Sequence, residues 1–480
     1  MKYSYLSIAL LILLAACGTT KHQYRPQKVP KAETLPTLTQ AYRYGFPLVL
    51  MDLTREMQTN TEYPTAAMGR APLNQFVHMS HLPDSTFKDV VRPNVGTLYS
   101  SAWVDLSDGP LIIEVPTTGD RYYMMPMLSA WTNVYASPGK RTTGTLAKKF
   151  MVVGPKWDGD LLPNTDFIRS PTNLSWINVR IELTQNEGMN KKIAELQKGF
   201  KIYPASFLGK KYTPPQGVLN PNLSPETPLE KILAMSAEDF FNRLNALMMR
   251  NPPAPEDDKT LLQFEQVSIA PGEKFSLSKF KPDEQKLISQ IPQSVHQEFQ
   301  KLKKEGASLS NGWSQVKGLG EYGVDYQKRA LVAYMGFGAS LEKDVLYPTA
   351  SIDISGQKLK GDKNYILHFD ADEIPSVKAF WSLTAYDAQS RLVENKFKRY
   401  SVGSLRKLKF NRDGSLDIYL QHNKPSKEFE SNWLPTPKGE FDVTARLFWP
   451  NEETLDPNWS MPPIVPQRNF KDKISMNDKE

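Results

Sequence analysis

The chain has 480 residues, 40% hydrophobic and 23% charged, with 59 Lys and Arg against 52 Asp and Glu. This is a globular composition, and at roughly 100–200 residues per domain the length predicts two to four domains with cores of their own. The single Cys excludes a disulfide framework and every multi-cysteine metal site. The net charge of +7 falls short of what a dedicated nucleic-acid binder carries.

Lys2 is followed by an apolar run from Leu6 to Leu14, and then by Ala15, Ala16 and Cys17. A positive charge, a short apolar core and small residues form the pattern of a secretory signal, and the core is below the roughly 18–20 apolar residues that cross a bilayer. Leu14-Ala15-Ala16-Cys17 resembles the lipobox of bacterial lipoproteins, which implies that Cys17 becomes an acylated N-terminus and that residues 1–17 are signal peptide and lipobox. Gly18, rather than Asp, resembles the pattern sorted to the outer membrane. The stretch from Thr19 to Lys31 holds no acidic residue and so does not resemble a surface-export tag. The expected location is the outer membrane, lipid-anchored and facing the periplasm, with residues 18–37 as a flexible tether.

From Leu38 to Met51, the residues Tyr42, Tyr44, Phe46, Leu48 and Leu50 predict a short helix. Short runs rich in β-branched or aromatic residues follow: Leu111 to Val115, Arg121 to Leu128, Phe150 to Val153 and Ile177 to Leu183. Pro, Gly and Thr clusters separate them, which predicts an antiparallel sandwich over residues 38–185. Between 186 and 345 the signals are helical. Thr227-Pro228-Leu229-Glu230 is a capping box with Pro at the first helical position. Ser236 caps a run with Phe240, Phe241, Leu244, Leu247 and Met248 at helical spacing, and Lys281 to Glu305 predicts one amphipathic helix stopped by Gly306. Strands return over 346–465, in Asn364 to Phe369, Ala379 to Tyr386, Ser415 to Gln421 and Glu440 to Pro450. In the last of these, Phe441, Val443, Ala445, Leu447 and Trp449 share one face and Asp442, Thr444, Arg446 and Phe448 the other, which predicts a half-buried strand. Asp413-Gly414 is a hairpin-turn signal, and residues 466–480 read as a polar tail. The expected fold is mainly β, two antiparallel β-sandwiches joined by a helical domain.

Gly318-Leu319-Gly320-Glu321-Tyr322-Gly323 spells the dinucleotide fingerprint, yet no βαβ unit surrounds it, so no cofactor follows. His78 and His81 have the spacing of two ligands on a helix but lack a third, so no metal is assigned. Gly336-Phe337-Gly338-Ala339-Ser340 lacks the central nucleophile of a hydrolase elbow.

Two stretches interleave polar and aromatic residues too densely for plain core strands. The first holds Arg92, Asn94, Tyr99, Trp103 and Asp105, then Tyr122, Trp131, Asn133 and Arg141. The second holds Trp381, Tyr386, Asp387, Asn395, Arg399, His422, Asn432 and Trp433. Such residues supply fork donors, amides and stacking faces for a polar-ligand cleft, and they serve equally well as ties between strands and loops. Asp105, Asp387 and His422 are the catalytic candidates under the alternative reading, an envelope hydrolase. Between Arg391 and Lys409, seven basic residues stand against Glu394 alone, a local charge of 7 − 1 = +6. That segment is either a protected strand edge or a face for an anionic glycan or lipid headgroup.

These motifs are similar to the bacterial family that combines the domains of unknown function numbered 1254 and 1214. The first resemblance covers about residues 42–180, through Arg92-Pro93-Asn94, Thr97-Leu98-Tyr99-Ser100, Arg121-Tyr122-Tyr123 and Ala130-Trp131-Thr132-Asn133. The second covers about residues 347–463, through Trp381-Ser382-Leu383-Thr384, Leu392-Val393-Glu394-Asn395, Arg399-Tyr400-Ser401 and Asn432-Trp433-Leu434-Pro435. The resemblance implies an immunoglobulin-like and then a jelly-roll-like sandwich, with no established activity. Relatives commonly have Asp where this chain has Gly96, which weakens a catalytic role centred on Asn94 to Tyr99. The expected function is a lipid-anchored envelope protein that binds a polar or anionic ligand (glycan, lipid headgroup or protein). Its partners would be the membrane through the N-terminal lipid and no nucleic acid, with a homo-oligomer left open.

Overall fold

The computed structural model describes residues 31–87, 92–184, 187–305 and 309–467. The lipobox, Cys17, most of the proposed tether and nearly all of the polar tail lie outside the described residues.

Helix α1 (Lys31–Thr59) starts seven residues before the expected helix, inside the stretch read as tether. Residues 44–54 are all buried, so this helix has no solvent face there and packs as a helix buried on all sides does. Its apolar side chains join those of the later helices in one core that includes Tyr42, Phe46, Phe240, Leu244, Phe264 and Phe299. Gly45 permits the approach, because a Cβ there would stand 2.5 Å from Leu244 Cδ2. By packing, α1 therefore belongs with the helices of residues 186–345.

The first β unit is built on β1 (Thr97–Asp105), β2 (Leu111–Val115), β3 (Lys148–Val153) and β4 (Leu174–Glu182). β1 and β4 are central neighbours in one sheet, while β2 and β3 are central neighbours in a second. Leu98, Val104, Ile113, Phe150, Ile177 and Val179 share the core between them. The sheet of β1 and β4 is antiparallel throughout, as expected, whereas β3 pairs in parallel with Asp166–Arg169, so the second sheet is mixed.

Helix α2 (Ala237–Arg250) begins as its cap predicts, with Ser236 accepting from the Asp239 amide. The preceding helix, Pro228–Ala234, closes the Thr227–Glu230 capping box from both sides. The single helix expected from Lys281 to Glu305 is two, Pro282–Ser289 and α3 (Ile291–Glu305). Pro292 has no amide to continue the ladder across Gln290, and its ring crowds the carbonyl four residues back. Helix α4 (Tyr326–Gly336) completes the set.

The second β unit is built on β5 (Tyr365–Phe369), β6 (Val377–Asp387), β7 (Leu416–Gln421) and β8 (Phe441–Pro450). β6 and β8 pair in a seven-stranded sheet, and β5 and β7 in a four-stranded one, where β7 also runs parallel to Trp433–Pro435. Trp381, Leu383, Ala385, Val443 and Leu447 face Leu367, Ile418 and Leu420 across the core. β8 is not half-buried: Thr444, Arg446 and Phe448, on the face expected to be wet, are buried as well. Trp449 leaves the inward row through a backbone φ of +53° and stacks on Tyr122 of the first unit.

The two β units thus meet sheet face to sheet face, with Tyr122, Met124, Val345, Phe380 and Phe448 forming a small core of their own. Phe448 is fully buried and stacks on Phe380 with ring centroids 4.3 Å apart. Phe448→Ala is expected to cost about 3–5 kcal/mol of folding stability, seen as a lower urea midpoint.

Candidate functional site

In β1 alternate residues face opposite ways. Leu98, Ala102 and Val104 enter the core, leaving Tyr99, Ser101 and Trp103 on the outer face. Antiparallel pairing sets Arg180 opposite Tyr99 and Trp176 opposite Trp103. Two neighbours cover this outer face. At one end Trp103 stacks on Trp176 at 5.2 Å, Trp176 stacks on Phe337, and Trp103 Nε1 donates to Gln58 Oε1 of α1 at 2.7 Å. At the other end Tyr99 and Arg180 meet the outer face of β6 and β8, where Ser382, Thr384 and Tyr386 stand opposite Arg446, Thr444 and Asp442.

The seam collects guanidiniums and phenols. Arg92 Nη1 donates to Thr444 Oγ1 at 3.0 Å, and its other terminal nitrogen pairs with Asp442. Arg446 Nη2 donates to the Arg92 carbonyl at 2.7 Å. The Tyr386 hydroxyl donates to the Pro93 carbonyl at 2.8 Å, and its ring has Arg92 and Arg446 each 5.7 Å from the centroid. Arg180 Nη1 donates to the Tyr347 hydroxyl at 2.7 Å and lies 5.3 Å from the Tyr99 ring. Asn94 Nδ2 donates to Thr97 Oγ1 at 2.8 Å and to the Tyr99 hydroxyl at 3.2 Å. At the border, Arg141 Nε and Ser137 Oγ donate to the buried Asp344 carboxylate at 2.7 and 2.6 Å, and the Tyr122 hydroxyl reaches the Asp344 carbonyl.

The charges do not balance. Arg92 and Arg141 each have a carboxylate, whereas Arg180 and Arg446, 8% and 4% exposed, pair with none among the described residues. Arg180 Nε and Arg446 Nη1 are buried without a hydrogen-bond partner. Burial pushes the Tyr99 phenol up, but Arg180, Asn94 and Arg446 outweigh it and bring its pKa below the ordinary value. Burial also pushes the Tyr386 phenol up, and there Arg446 and Arg92 offset only part of the rise.

The seam therefore brings together Arg92, Asn94, Tyr99, Tyr122 and Tyr386 from the sequence candidates, with Arg141 at its border. The other candidates sit elsewhere. Asp105 Oδ2 accepts from Arg250 at 2.8 Å, at a cleft of about 240 Å³ that Asp52 and Arg55 also line. Asp387 accepts the Gln389 and Arg391 amides in a turn, and His422 Nδ1 bonds the Thr436 carbonyl at 2.8 Å. These three catalytic candidates thus have three separate settings. Trp131 Nε1 donates to the Pro252 carbonyl, and Asn133 Oδ1 accepts the Tyr322 amide, so both tie the first β unit to the helical segment. Trp381 lies in the second core. Asn432 bridges Lys409 and Asp417 main-chain groups, and Trp433 Nε1 donates to the Gln421 carbonyl. Asn395 bonds main-chain atoms of Val393 and Arg399 within its own loop, and Arg399 Nη1 donates to the Trp433 carbonyl. Sequence reasoning missed Arg180, Tyr347 and Arg446. The available signal was Phe448, an aromatic in the row of β8 assigned to solvent.

Other expected features fall as follows. Gly318, Gly320 and Gly323 all have positive φ in a loop before α4, and no βαβ unit contains them. His78 lies on the strand Val77–Met79 rather than on a helix, with Nδ1 at 2.9 Å from Ser100 Oγ. Among the described residues, no group of three or more His, Cys, Asp or Glu side chains is placed to hold a metal ion. None of their helices is long and apolar enough to cross a membrane.

Residues 73–204 match the family model described as "Protein of unknown function (DUF1254)", and residues 344–452 match "Protein of unknown function (DUF1214)". The chain carries both domains in that order. The DUF1254 match takes in the first β unit without α1, and the DUF1214 match takes in most of the second. The VPA0106 protein of Vibrio parahaemolyticus has a similar solved structure, with a TM-score of 0.66 and 23% identity over 90% of this chain and 99% of that one. An uncharacterized protein of Burkholderia cenocepacia aligns at a TM-score of 0.41 and 12% identity, over 91% and 93% of the two chains. No curated protein matches. The seam is thus a junction between the DUF1254 and DUF1214 domains, with Tyr99 and Arg180 from the first and Tyr386 and Arg446 from the second.

One titration follows from the DUF1254 domain. Burial, and then Lys198, lower the His78 pKa from 6.5 to about 4. The unfolded chain takes up this proton near pH 6.5 and the folded chain only near pH 4, so the contribution is complete above that window and is lost as pH falls through it. The stability gap between the wild type and His78→Asn is expected to narrow between about pH 7 and about pH 4.5, as measured by urea unfolding.

Proposed function

We propose that this chain is a lipid-anchored envelope protein that binds an anionic ligand at the seam between its DUF1254 and DUF1214 domains. The observation that carries the reading is the pair of buried guanidiniums, Arg180 and Arg446, left without a carboxylate and each with a nitrogen lacking a partner. A buried cation without a counterion is costly, and an anion that accepts from those nitrogens removes the cost. Tyr99 and Tyr347 offer phenols beside the same charges, which suits a phosphate or carboxylate carried on a polar molecule. The lipobox-like Leu14-Ala15-Ala16-Cys17 supports anchoring at the outer membrane, facing the periplasm. One shared core for each pair of sheets supports sandwiches of immunoglobulin-like and then jelly-roll-like type.

A hydrolase is the second reading, and the observation favouring it is the setting of the Tyr99 phenol, which accepts from Asn94 Nδ2 with the Arg180 guanidinium 5.3 Å from its ring, in place of the dispersed Asp105, Asp387 and His422. Turnover of simple ester or phosphoester substrates that Tyr99→Phe abolishes would establish it.

The binding reading is tested on a chain starting at Gly18, which keeps every described residue. Thermal shift and calorimetry with inorganic phosphate, glycerol phosphate and glucuronate should show saturable binding of at least one. Arg180→Gln should weaken that binding about 10- to 100-fold, the value of a charge-assisted hydrogen bond of about 1.5–3 kcal/mol. The ligand-free variant should melt no lower than the wild type, because it no longer buries an uncompensated charge. Equal binding by wild type and variant would sink the proposal. In cells, Cys17→Ser should move the protein from the membrane to the soluble fraction.

A further inference from the structure

The basic segment noted in the sequence has a built core. Asn395 Oδ1 accepts the Arg399 amide at 3.0 Å, while its Nδ2 donates to the Arg399 and Val393 carbonyls at 3.0 and 3.1 Å. That clasp leaves Lys396, Phe397 and Lys398 exposed at the loop tip, with Lys398 at a left-handed φ of +47°. Phe397 is 40% exposed, and its other side meets the buried Trp433 edge-on at 5.2 Å. Trp433 is itself fixed by its bond to the Gln421 carbonyl and by the Arg399 guanidinium over its ring. The ammonium groups of Lys396 and Lys424 stand 5.2 and 5.3 Å from the Phe397 ring centroid. On the adjoining loop Phe429 is 38% exposed and leans on Tyr419 at 4.8 Å, and Phe410, beside Lys409, is 50% exposed. Of the acidic groups nearby, Glu428 pairs with Lys409 and Glu430 with Lys424, both within 2.9 Å, and Asp84 lies close to Lys398, while the exposed Glu394 offsets one of the loop's positive charges.

Lysines that only protect a strand edge need no aromatic company. Here exposed Phe rings project between cations from loops held by buried polar ties. This is the chemistry of an interfacial anchor, in which rings enter the boundary between headgroups and acyl chains while ammonium groups stay at the phosphate level. We propose that this face of the DUF1214 domain docks on an anionic phospholipid surface. The positive field supplies the attraction and Phe397 supplies the insertion, independently of any ligand at the seam.

The test is co-sedimentation of the chain from Gly18, without lipid, with phosphatidylcholine vesicles and with vesicles that also contain phosphatidylglycerol. Binding is expected to the phosphatidylglycerol vesicles alone and to weaken as salt is raised. Lys396→Ala combined with Phe397→Ala should lower it at least tenfold, since one basic residue near such a surface contributes about a factor of five. Phe397→Trp should retain binding, and Phe397→Ala alone should weaken it, which covers failure of the double variant to fold. No binding to phosphatidylglycerol vesicles, equal binding to both kinds, or indifference to Phe397→Ala would each overturn the proposal. Tight binding of heparin that ignores Phe397 would also overturn it, by showing that the face reads polyanions instead of a bilayer.

Discussion

Burial of β1 and β4 on both faces is the constraint on which the other contacts in this molecule depend. A strand in a two-layer unit ordinarily keeps one face wet, and its polar residues go there. Here the outer face is covered at one end by α1 and by Phe337, just past the end of α4, and at the other by the DUF1214 sheet. Each outward residue must therefore either pack or find a polar partner. Trp103 and Trp176 do the first, and Tyr99 and Arg180 do the second. β8 meets the same condition from the opposite side, with Phe448 packed and Arg446 bonded to a carbonyl of the DUF1254 domain. The two domains consequently share main-chain and side-chain bonds and are joined more tightly than two beads on a linker would be.

The seam also explains why charge and function are hard to separate here. Arg92 with Asp442 and Arg141 with Asp344 are domain-to-domain pairs, and removing one partner would strand the other in a poorly hydrated space. Arg180 and Arg446 have no such counterpart, and phenols and carbonyls receive only part of their donors. Stability alone would favour neutral side chains at these two positions. Their presence is the cost that the proposed anion site would offset when occupied.

Most strands were legible because alternation and turn residues are local. Leu111 to Val115 and Tyr365 to Phe369 lie where the pattern places them, and the Thr227 and Ser236 caps form as written. The errors at α1 and β8 share one cause. A helix buried on all sides shows no amphipathic stripe, so α1 read as a short segment beginning at Leu38. A strand buried on both faces looks half-buried until its partner domain, with Arg92 354 residues away in sequence, is in place, so the pattern alone puts Arg446 in water. Arg92, Asn94, Tyr99 and Tyr386 could be suspected from their density of polar and aromatic types. Asp105 and Asp387 look the same in sequence, yet one is an ion-pair partner at a cleft and the other caps a turn. Nothing local distinguishes a turn-capping carboxylate from a catalytic one.

The position of α1 bears on how the chain reaches this state. It is the first described segment, yet its partners arrive much later: Tyr44 waits for Asp257, and Arg43 for Glu298, 255 residues further on. Contacts so distant in sequence make folding slow, and until they form, a largely apolar helix with three aromatic rings has nothing to cover it. A chain shortened before α3 and α4 would present that helix to any apolar surface nearby. Such fragments should aggregate or be degraded, so that the helical core, although encoded partly at the very start of the fold, closes only once the chain as far as α4 is present.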